Sequence, residues 1–159
     1  MARAIVLRLL TMQARTRREL SDALRRRNVP EEVAESVLDR MAEVGLVNDA
    51  QFADAWVESR QQRRQLSRTG LRRELQRKGV ERELIEDAVG RVSGEDEQEA
   101  ARALAEKKLR SVRGLDPQVQ RRRIAGALAR RGFSGEVIGS VLRELPFGAE
   151  DDDSAEAFS

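Results

Sequence analysis

The side chains of this chain that could do chemistry are mainly its arginines. The 159 residues include 27 Arg and 3 Lys but no Cys, no His and no Tyr. Disulfides, thiolate metal sites, the commonest general base and the phenol acid are therefore absent. Any catalysis would have to rest on Asp, Glu, Ser, Thr, Lys or Arg alone, so the composition makes an enzyme the less expected class. Arg stays charged and presents a planar fork to phosphates or carboxylates, so the composition favours binding of an anionic partner.

The cations are concentrated in three stretches. Residues 15–27 hold six Arg against two acids, residues 67–78 hold five cations against one acid, and residues 117–131 hold five Arg and no acid. A charge run is usually a solvated face, but three basic runs at matching positions predict a stripe for a long anionic ligand. The candidate contacts are Arg68, Arg72, Arg73, Arg77, Lys78, Arg121, Arg122, Arg123, Arg130 and Arg131. The segments that follow the first two stretches, residues 30–44 and 81–92, are acidic.

Each basic stretch lies in one copy of an internal repeat. The copies include LRRRNVPEEVAESVL (24–38), LQRKGVERELIEDAV (75–89) and LARRGFSGEVIGSVL (128–142). Apolar and turn residues match in register after steps of 51 and 53 residues, without gaps. Self-similarity at a period of about 50 residues is typical of repeat architectures, whose small units are stable only when they pack on one another.

Capping and stop signals divide each copy into two helices. Thr16 and Glu19 have capping-box spacing, Asn28 suits a left-handed position just after a helix, and Pro30 suits the first turn of the next. Gly79 and Gly132 repeat the stop, and the pair Asp116 and Pro117 repeats the start.

A further helix precedes each copy, at roughly residues 3–13, 50–65 and 95–112, and strand-like alternation is absent. The predicted fold is all-α, with three tandem three-helix-bundle repeats that form an elongated, curved array. The predicted boundaries are 1–48, 49–94 and 95–146, followed by an acidic disordered tail at 147–159.

The few aromatic residues are predicted to be structural. Phe52 and Trp56 lie four residues apart, on one face of a helix, and Phe133 follows a turn glycine at a repeated apolar position. The third helix of the first repeat is predicted to carry an apolar stripe formed by Val33, Val37, Leu38 and Met41. Without free aromatic side chains, a base-stacking platform for single strands is not expected.

Sequence-specific DNA reading by a helix-turn-helix is also not expected. In that motif the helix after the turn enters the major groove, whereas here that helix is acidic or nearly neutral and phosphates would repel it. The position four residues before each turn residue is occupied by Leu24, Leu75 or Leu128, where a tight helix crossing favours a smaller side chain.

The two ends of the chain carry further signals. The first residues predict a helix rather than a signal peptide, and no stretch approaches the length of a membrane span, so we expect a cytoplasmic protein. Residues 150–159 carry five acids and no base. The formal charge is +2 for the whole chain and +7 for residues 1–149. A segment of this kind could shield the basic stripe.

Four segments resemble the RecX family, regulators of the bacterial RecA recombinase. They are GLVND (45–49), FADAWVESR (52–60), LSRTGLRRELQRKGV (66–80) and ARRGFS (129–134). Each is weak alone, but their order and spacing are specific, and the resemblance covers about residues 4–145. Where such proteins often have an aromatic residue in the first linker, this chain has Leu46.

The resemblance implies three tandem three-helix repeats and a negative regulator of RecA that is not an enzyme, with no catalytic residues, no metal and no cofactor. Such proteins bind RecA and its filament on single-stranded DNA (ssDNA), lodge in the filament groove, and block extension or promote disassembly. That inhibits ATP hydrolysis, strand exchange and the co-protease activity that triggers the SOS response. The partners expected for a monomer of this kind are RecA, its nucleoprotein filament and, weakly, ssDNA or double-stranded DNA, with no membrane. The alternative is an autonomous, largely non-specific nucleic-acid-binding helical protein.

Overall fold

A computed structural model describes residues 1–64 and 66–148, without the side chains of 62–64, and this part of the chain is helical with no strand. The helices are α1 (Ala2–Met12), α2 (Arg17–Arg26), α3 (Glu31–Glu43), α4 (Asp49–Arg64), α5 (Arg68–Arg77), α6 (Arg82–Gly90), α7 (Gly94–Ser111), α8 (Pro117–Arg130) and α9 (Gly135–Glu144). The predicted all-α class is therefore confirmed, and each repeat supplies three helices. The acidic residues 150–159, predicted to be disordered, lie outside the described residues.

The polar signals in the sequence fix the helix ends. The Thr16 hydroxyl accepts a hydrogen bond from the Glu19 N–H, and the Glu19 carboxylate accepts one from the Thr16 N–H, so α2 begins at Arg17 as predicted. Asp116 caps α8, and Pro117 is its first helical residue. Pro30 differs by one position, because it precedes α3 as the N-cap instead of lying in its first turn.

A left-handed residue ends the second helix of every repeat. Asn28, Gly79 and Gly132 have φ values of 60°, 83° and 89°, a region that glycine and asparagine tolerate best. The next residue, Val29, Val80 or Phe133, turns back toward the helix and donates its N–H to the carbonyl of Leu24, Leu75 or Leu128. That leucine is fully buried in all three repeats.

The described chain forms two compact units whose limits differ from those of the repeats. The first unit contains residues 1–63 and 71–92, and the second contains residues 64–70 and the chain from Ser93 onward. The first three residues of α5 thus pack with the second unit. The boundaries predicted for the three repeats stay a prediction.

In the first unit, one apolar cluster joins α1, α2 and α3. Its buried members are Ala2, Val6, Leu20, Leu24, Ala34, Leu38, Met41 and Val47. Val33 is 46% exposed, so its predicted place in the apolar stripe of α3 is wrong. Val33 comes five residues before Leu38 and lies to one side of the line that Ala34, Leu38 and Met41 form at steps of three and four.

In the second unit, the apolar cluster joins α7, α8 and α9. Its buried members are Ala101, Leu104, Ala105, Val112, Ile124, Leu128, Phe133, Val141 and Leu142. The structural role predicted for Phe133 is confirmed, because the ring is 4% exposed. Phe147 packs against the same cluster, so the packed chain continues two residues into the segment predicted as tail. No helix in the described ranges is both long and apolar enough to cross a membrane.

Candidate functional site

Three of the predicted contact residues on and after α5 are paired with acids of their own unit. In the second unit, Arg68 Nε lies 2.5 Å from Glu97 Oε2, and Glu97 is one of the few buried charged residues. In the first unit, Arg72 Nε lies 2.9 Å from Glu86 Oε1, and both side chains are about half exposed. Lys78 Nζ lies 3.5 Å from Glu19 Oε2. The positive charges of these three side chains are therefore balanced by carboxylates of the protein itself.

Lys78 also belongs to a cluster around Trp56 in the first unit. The Lys78 ammonium lies 4.5 Å from the centre of the Trp56 ring, and the Arg60 guanidinium lies 4.3 Å from it. Arg60 is held in turn by Glu74, at 3.1 Å. The Phe52 and Trp56 rings stack with centroids 5.7 Å apart. Phe52 is buried and Trp56 is half-buried, so the predicted core role holds fully only for Phe52. The Trp56 ring instead makes cation–π contacts with Arg60 and Lys78.

The arginines of α8 are placed differently. Arg122, Arg123 and Arg130 are exposed, the helix contains no acid, and the three make no ion pair within residues 1–64 and 66–148. Arg121 lies over the Phe147 ring, 5.0 Å from its centre. Arg131 is half-buried, and its carbonyl accepts a hydrogen bond from the Ser67 hydroxyl.

On α5, Arg73 and Arg77 are the exposed members of the predicted set. They lie four residues apart on the face opposite the buried Leu71 and Leu75. The structure therefore brings Arg73 and Arg77 together on α5, and Arg122, Arg123 and Arg130 together on α8. Contact of any of these residues with a partner stays a prediction.

The repeat register separates structural arginines from exposed ones. Arg17, Arg68 and Arg121 are equivalent in the repeat, and each has a partner side chain. Arg17 bonds Asp39 at 2.6 Å and Glu35 at 3.0 Å. The hydrogen bond that Arg17 donates to Asp39 raises the pKa of Arg17 above its ordinary value; partial burial opposes this rise, and the bond donated to Glu35 adds to it.

A second set of equivalent arginines comes in the last turn of the second helices. Arg26, Arg77 and Arg130 are all exposed and make no ion pair in the described part of the chain. Cations there complement the negative end of the helix dipole, which gives them a structural benefit of about 0.3–1 kcal/mol. The exposed guanidinium groups remain accessible to a ligand as well.

Sequence reasoning identified Thr16 only as a helix cap and missed that one buried polar position recurs in each repeat. Thr16, Ser67 and Gln120 are equivalent in register, and all three are buried. The Thr16 hydroxyl donates to the Lys78 carbonyl at 2.6 Å, and the Ser67 hydroxyl donates to the Arg131 carbonyl at 2.9 Å. Each accepting carbonyl immediately precedes a turn glycine, Gly79 or Gly132. Aligning the repeats beyond their apolar positions would have revealed this set.

Exposed arginines of this kind favour salt-dependent contacts with phosphates or carboxylates. Within the described chain there is no group of three or more Asp or Glu residues placed to hold a metal ion. The acids of α3 lie along a shallow surface groove, lined by Glu31, Glu32, Glu35, Ser36, Asp39, Arg40 and Glu43. Two of them, Glu35 and Asp39, already bind Arg17.

Comparison with known proteins places all three repeats in one family. Family models described as the first, second and third three-helix domains of RecX match residues 2–41, 48–89 and 95–142. The regulatory protein RecX of Streptomyces lividans is 56% identical over 143 residues, which cover 90% of this chain and 76% of that protein. The regulatory protein RecX of Thermobifida fusca is 49% identical over 90% of this chain and 77% of its own.

Two crystal structures share the fold. One is RecX from Lactobacillus salivarius, with a TM-score of 0.81 and 24% identity, covering 91% of this chain and 94% of that chain. The other is a regulatory protein RecX, with a TM-score of 0.84 and 26% identity, covering 90% of this chain and 72% of that chain.

Proposed function

The chain belongs to the RecX family of regulatory proteins, and from that premise we propose that it is a negative regulator of the RecA recombinase. It binds RecA and the filament that RecA forms on ssDNA, in the groove of the filament. There it blocks extension or promotes disassembly, and so lowers ATP hydrolysis, strand exchange and SOS co-protease activity. It works in the cytoplasm as a monomer and by binding alone, without a catalytic step.

The observation that carries this proposal is the uncompensated arginine group of α8 in a chain of this family. Arg122, Arg123 and Arg130 are exposed on a helix that has no acid. Because these guanidinium groups make no ion pair among residues 1–64 and 66–148, no contact within that part of the chain has to break before they bind an anionic surface. Acidic side chains of RecA or the phosphates of its DNA supply such a surface.

Exposed charges at an interface act mainly on the association rate and on specificity. The arginines of α8 therefore steer the protein to the filament, and their effect decreases when salt shortens the screening length, about 10 Å at 0.1 M ionic strength. The paired cations Arg68, Arg72 and Lys78 contribute less, because each must first leave its carboxylate.

The test is a titration of RecA-dependent ATP hydrolysis on ssDNA at increasing ratios of this protein to RecA. We expect inhibition at low ratios, and the triple variant R122E/R123E/R130E requires a higher ratio for the same inhibition. The matched control is R3E/R8E/R82E, which changes the net charge equally at exposed arginines outside the predicted set. Full hydrolysis at every ratio of the wild-type protein contradicts the proposal.

The α8 arginines also favour the second candidate, autonomous binding to nucleic acid, because no acid of that helix opposes phosphates. Affinity for an ssDNA oligonucleotide, measured against salt with and without RecA, separates the two. An autonomous binder is tight alone, with a slope that reports several phosphate contacts. A RecA regulator binds the bare oligonucleotide weakly and the RecA-coated one strongly.

A further inference from the structure

The last described residue is fixed beside the first turn of α8. The Gly148 N–H donates to Gln120 Oε1 at 3.3 Å, and a Cβ on Gly148 would lie 3.0 Å from the Pro117 side chain. Gln120 is 5% exposed and donates its own amide to the Val112 carbonyl at 3.0 Å. The preceding Phe147 packs against the core of the second unit and lies under Arg121. The chain beyond Gly148 therefore starts at a defined place.

The segment that starts there is strongly acidic. Residues 149–159 read AEDDDSAEAFS, with carboxylates at Glu150, Asp151, Asp152, Asp153 and Glu156 and no basic residue. These five acids account for the whole difference between the formal charge of +7 for residues 1–149 and +2 for the full chain. We call residues 150–156 the acidic segment.

Three exposed arginines of α8 that make no ion pair among the described residues follow the anchor point of Gly148 along the helix. Arg122 and Arg123 come five and six residues after Pro117, about 8–9 Å along the helix axis at 1.5 Å per residue. Arg130 comes about 20 Å along it. Between Arg123 and Arg130 lie Gly126, which the Arg130 guanidinium approaches closely, and the exposed Ala129.

The acidic segment is long enough to cover this distance. An extended chain spans at most about 3.3–3.6 Å per residue, so Asp151 can reach about 10 Å from Gly148 and Glu156 about 27 Å. The first carboxylates thus reach Arg122 and Arg123, and the last one reaches Arg130. No further residues are needed between Gly148 and the first carboxylates for this reach.

We propose that the acidic segment docks on Arg122, Arg123 and Arg130 of its own chain and competes there with an anionic partner. The anchor at Gly148 makes the contact intramolecular, with an effective concentration on the order of millimolar. We place the acidic segment on α8 because the segment starts beside the first turn of that helix and because α8 contains no acid of its own. The docking itself stands on charge and geometry, and only its competitive role rests on the proposed function.

Amide chemical shifts test the docking directly. The full chain is compared with the neutral variant E150Q/D151N/D152N/D153N/E156Q, in which the length and anchor are unchanged. At about 0.01 M ionic strength, where screening reaches roughly 30 Å, we expect shift differences at residues 122–130. They disappear at about 1 M, where screening reaches roughly 3 Å. Differences confined to residues 145–159 overturn the proposal.

A binding competition tests its consequence. The probe is a labelled ssDNA oligonucleotide, measured at low salt with the full chain and the neutral variant. We expect the neutral variant to bind the oligonucleotide about eightfold more tightly. Its uncharged side chains no longer compete with the oligonucleotide for the three arginines. In the background R122E/R123E/R130E, neutralising the acidic segment has little effect on affinity.

An equal gain in both backgrounds shows a general effect of net charge and overturns the competition. Failure of RecA inhibition, with the shift differences present, counts against the proposed function and leaves the docking intact. The two ideas therefore fail separately.

Discussion

The second helices of repeats two and three, α5 and α8, lie in stretches with equal numbers of cations but differ in how many of those cations pair with acids. On and just after α5, Arg68, Arg72 and Lys78 are each held by a carboxylate, and Arg73 and Arg77 are exposed. On α8, Arg122, Arg123 and Arg130 have none among the described residues. The count of positive residues in a sequence thus does not measure the positive surface. What matters is whether an acid from a neighbouring helix reaches each guanidinium group.

The comparison extends to what surrounds each group. Near α5, two cations lie over the half-buried Trp56 and link it to Glu19 and Glu74. Near α8, Arg121 lies over the Phe147 ring, at the end where the acidic segment begins. The first arrangement ties cations to the fold, and the second leaves Arg122, Arg123 and Arg130 exposed.

The largest effect is expected at Trp56. Trp56→Ala removes the platform for Arg60 and Lys78 and the stack with Phe52, and should destabilise the protein by about 2–3 kcal/mol. That is less than the roughly 3–5 kcal/mol for a fully buried Trp, because the ring is half-buried. Chemical denaturation measures it, with Trp56→Phe as the control that keeps a ring. A loss below about 1 kcal/mol would show that this cluster does not hold the α5 region.

Reversal of the α8 group should give the next largest effect, on binding. R122E/R123E/R130E should raise the concentration needed for half-inhibition of RecA about tenfold or more, a change of roughly 1.4 kcal/mol. Stability should decrease by less than about 1 kcal/mol, mostly from Arg130 at the helix C-terminus. The comparison fails if R73E/R77E on α5 has a larger effect on inhibition than the α8 reversal.

The Ser67 hydroxyl should matter more than the hydroxyl of an exposed cap. Ser67→Ala removes a buried bond to the Arg131 carbonyl and the cap of the Gly70 N–H, at an expected cost of about 1–2 kcal/mol. Ser134→Ala removes only an exposed cap on the Val137 N–H and should cost about 0.5 kcal/mol. Equal losses in urea denaturation would mean that the buried carbonyl finds another donor.

The smallest effect is expected at an exposed ion pair. Arg72→Ala breaks the pair with Glu86, in which both side chains are about half exposed, and should change stability by less than about 0.5 kcal/mol. A double-mutant cycle with Glu86→Ala measures the coupling. A coupling above about 1 kcal/mol would place Arg72 among the structural cations, together with Arg68.

The sequence alone determined the helices and their ends, because these depend on neighbours within a few residues. Thr16, Asn28, Gly79, Asp116 and Gly132 act through capping and left-handed backbone, and the structure shows them in those roles. At one repeated apolar position, Leu24, Leu75 and Leu128 are all fully buried. Val33 was misplaced because a helical stripe read from sequence has no fixed width.

Only the tertiary structure decided which cations form ion pairs with acids of the same chain. Arg68 meets Glu97 from 29 residues away, and Lys78 meets Glu19 from 59 residues away, distances over which sequence spacing carries no information. The equivalence of Thr16, Ser67 and Gln120 was present in the sequence, but their partners, the Lys78 carbonyl, the Arg131 carbonyl and the Gly148 N–H, were not. A local signal fixes an element, whereas an ion pair or a buried hydrogen bond depends on where distant segments come to lie.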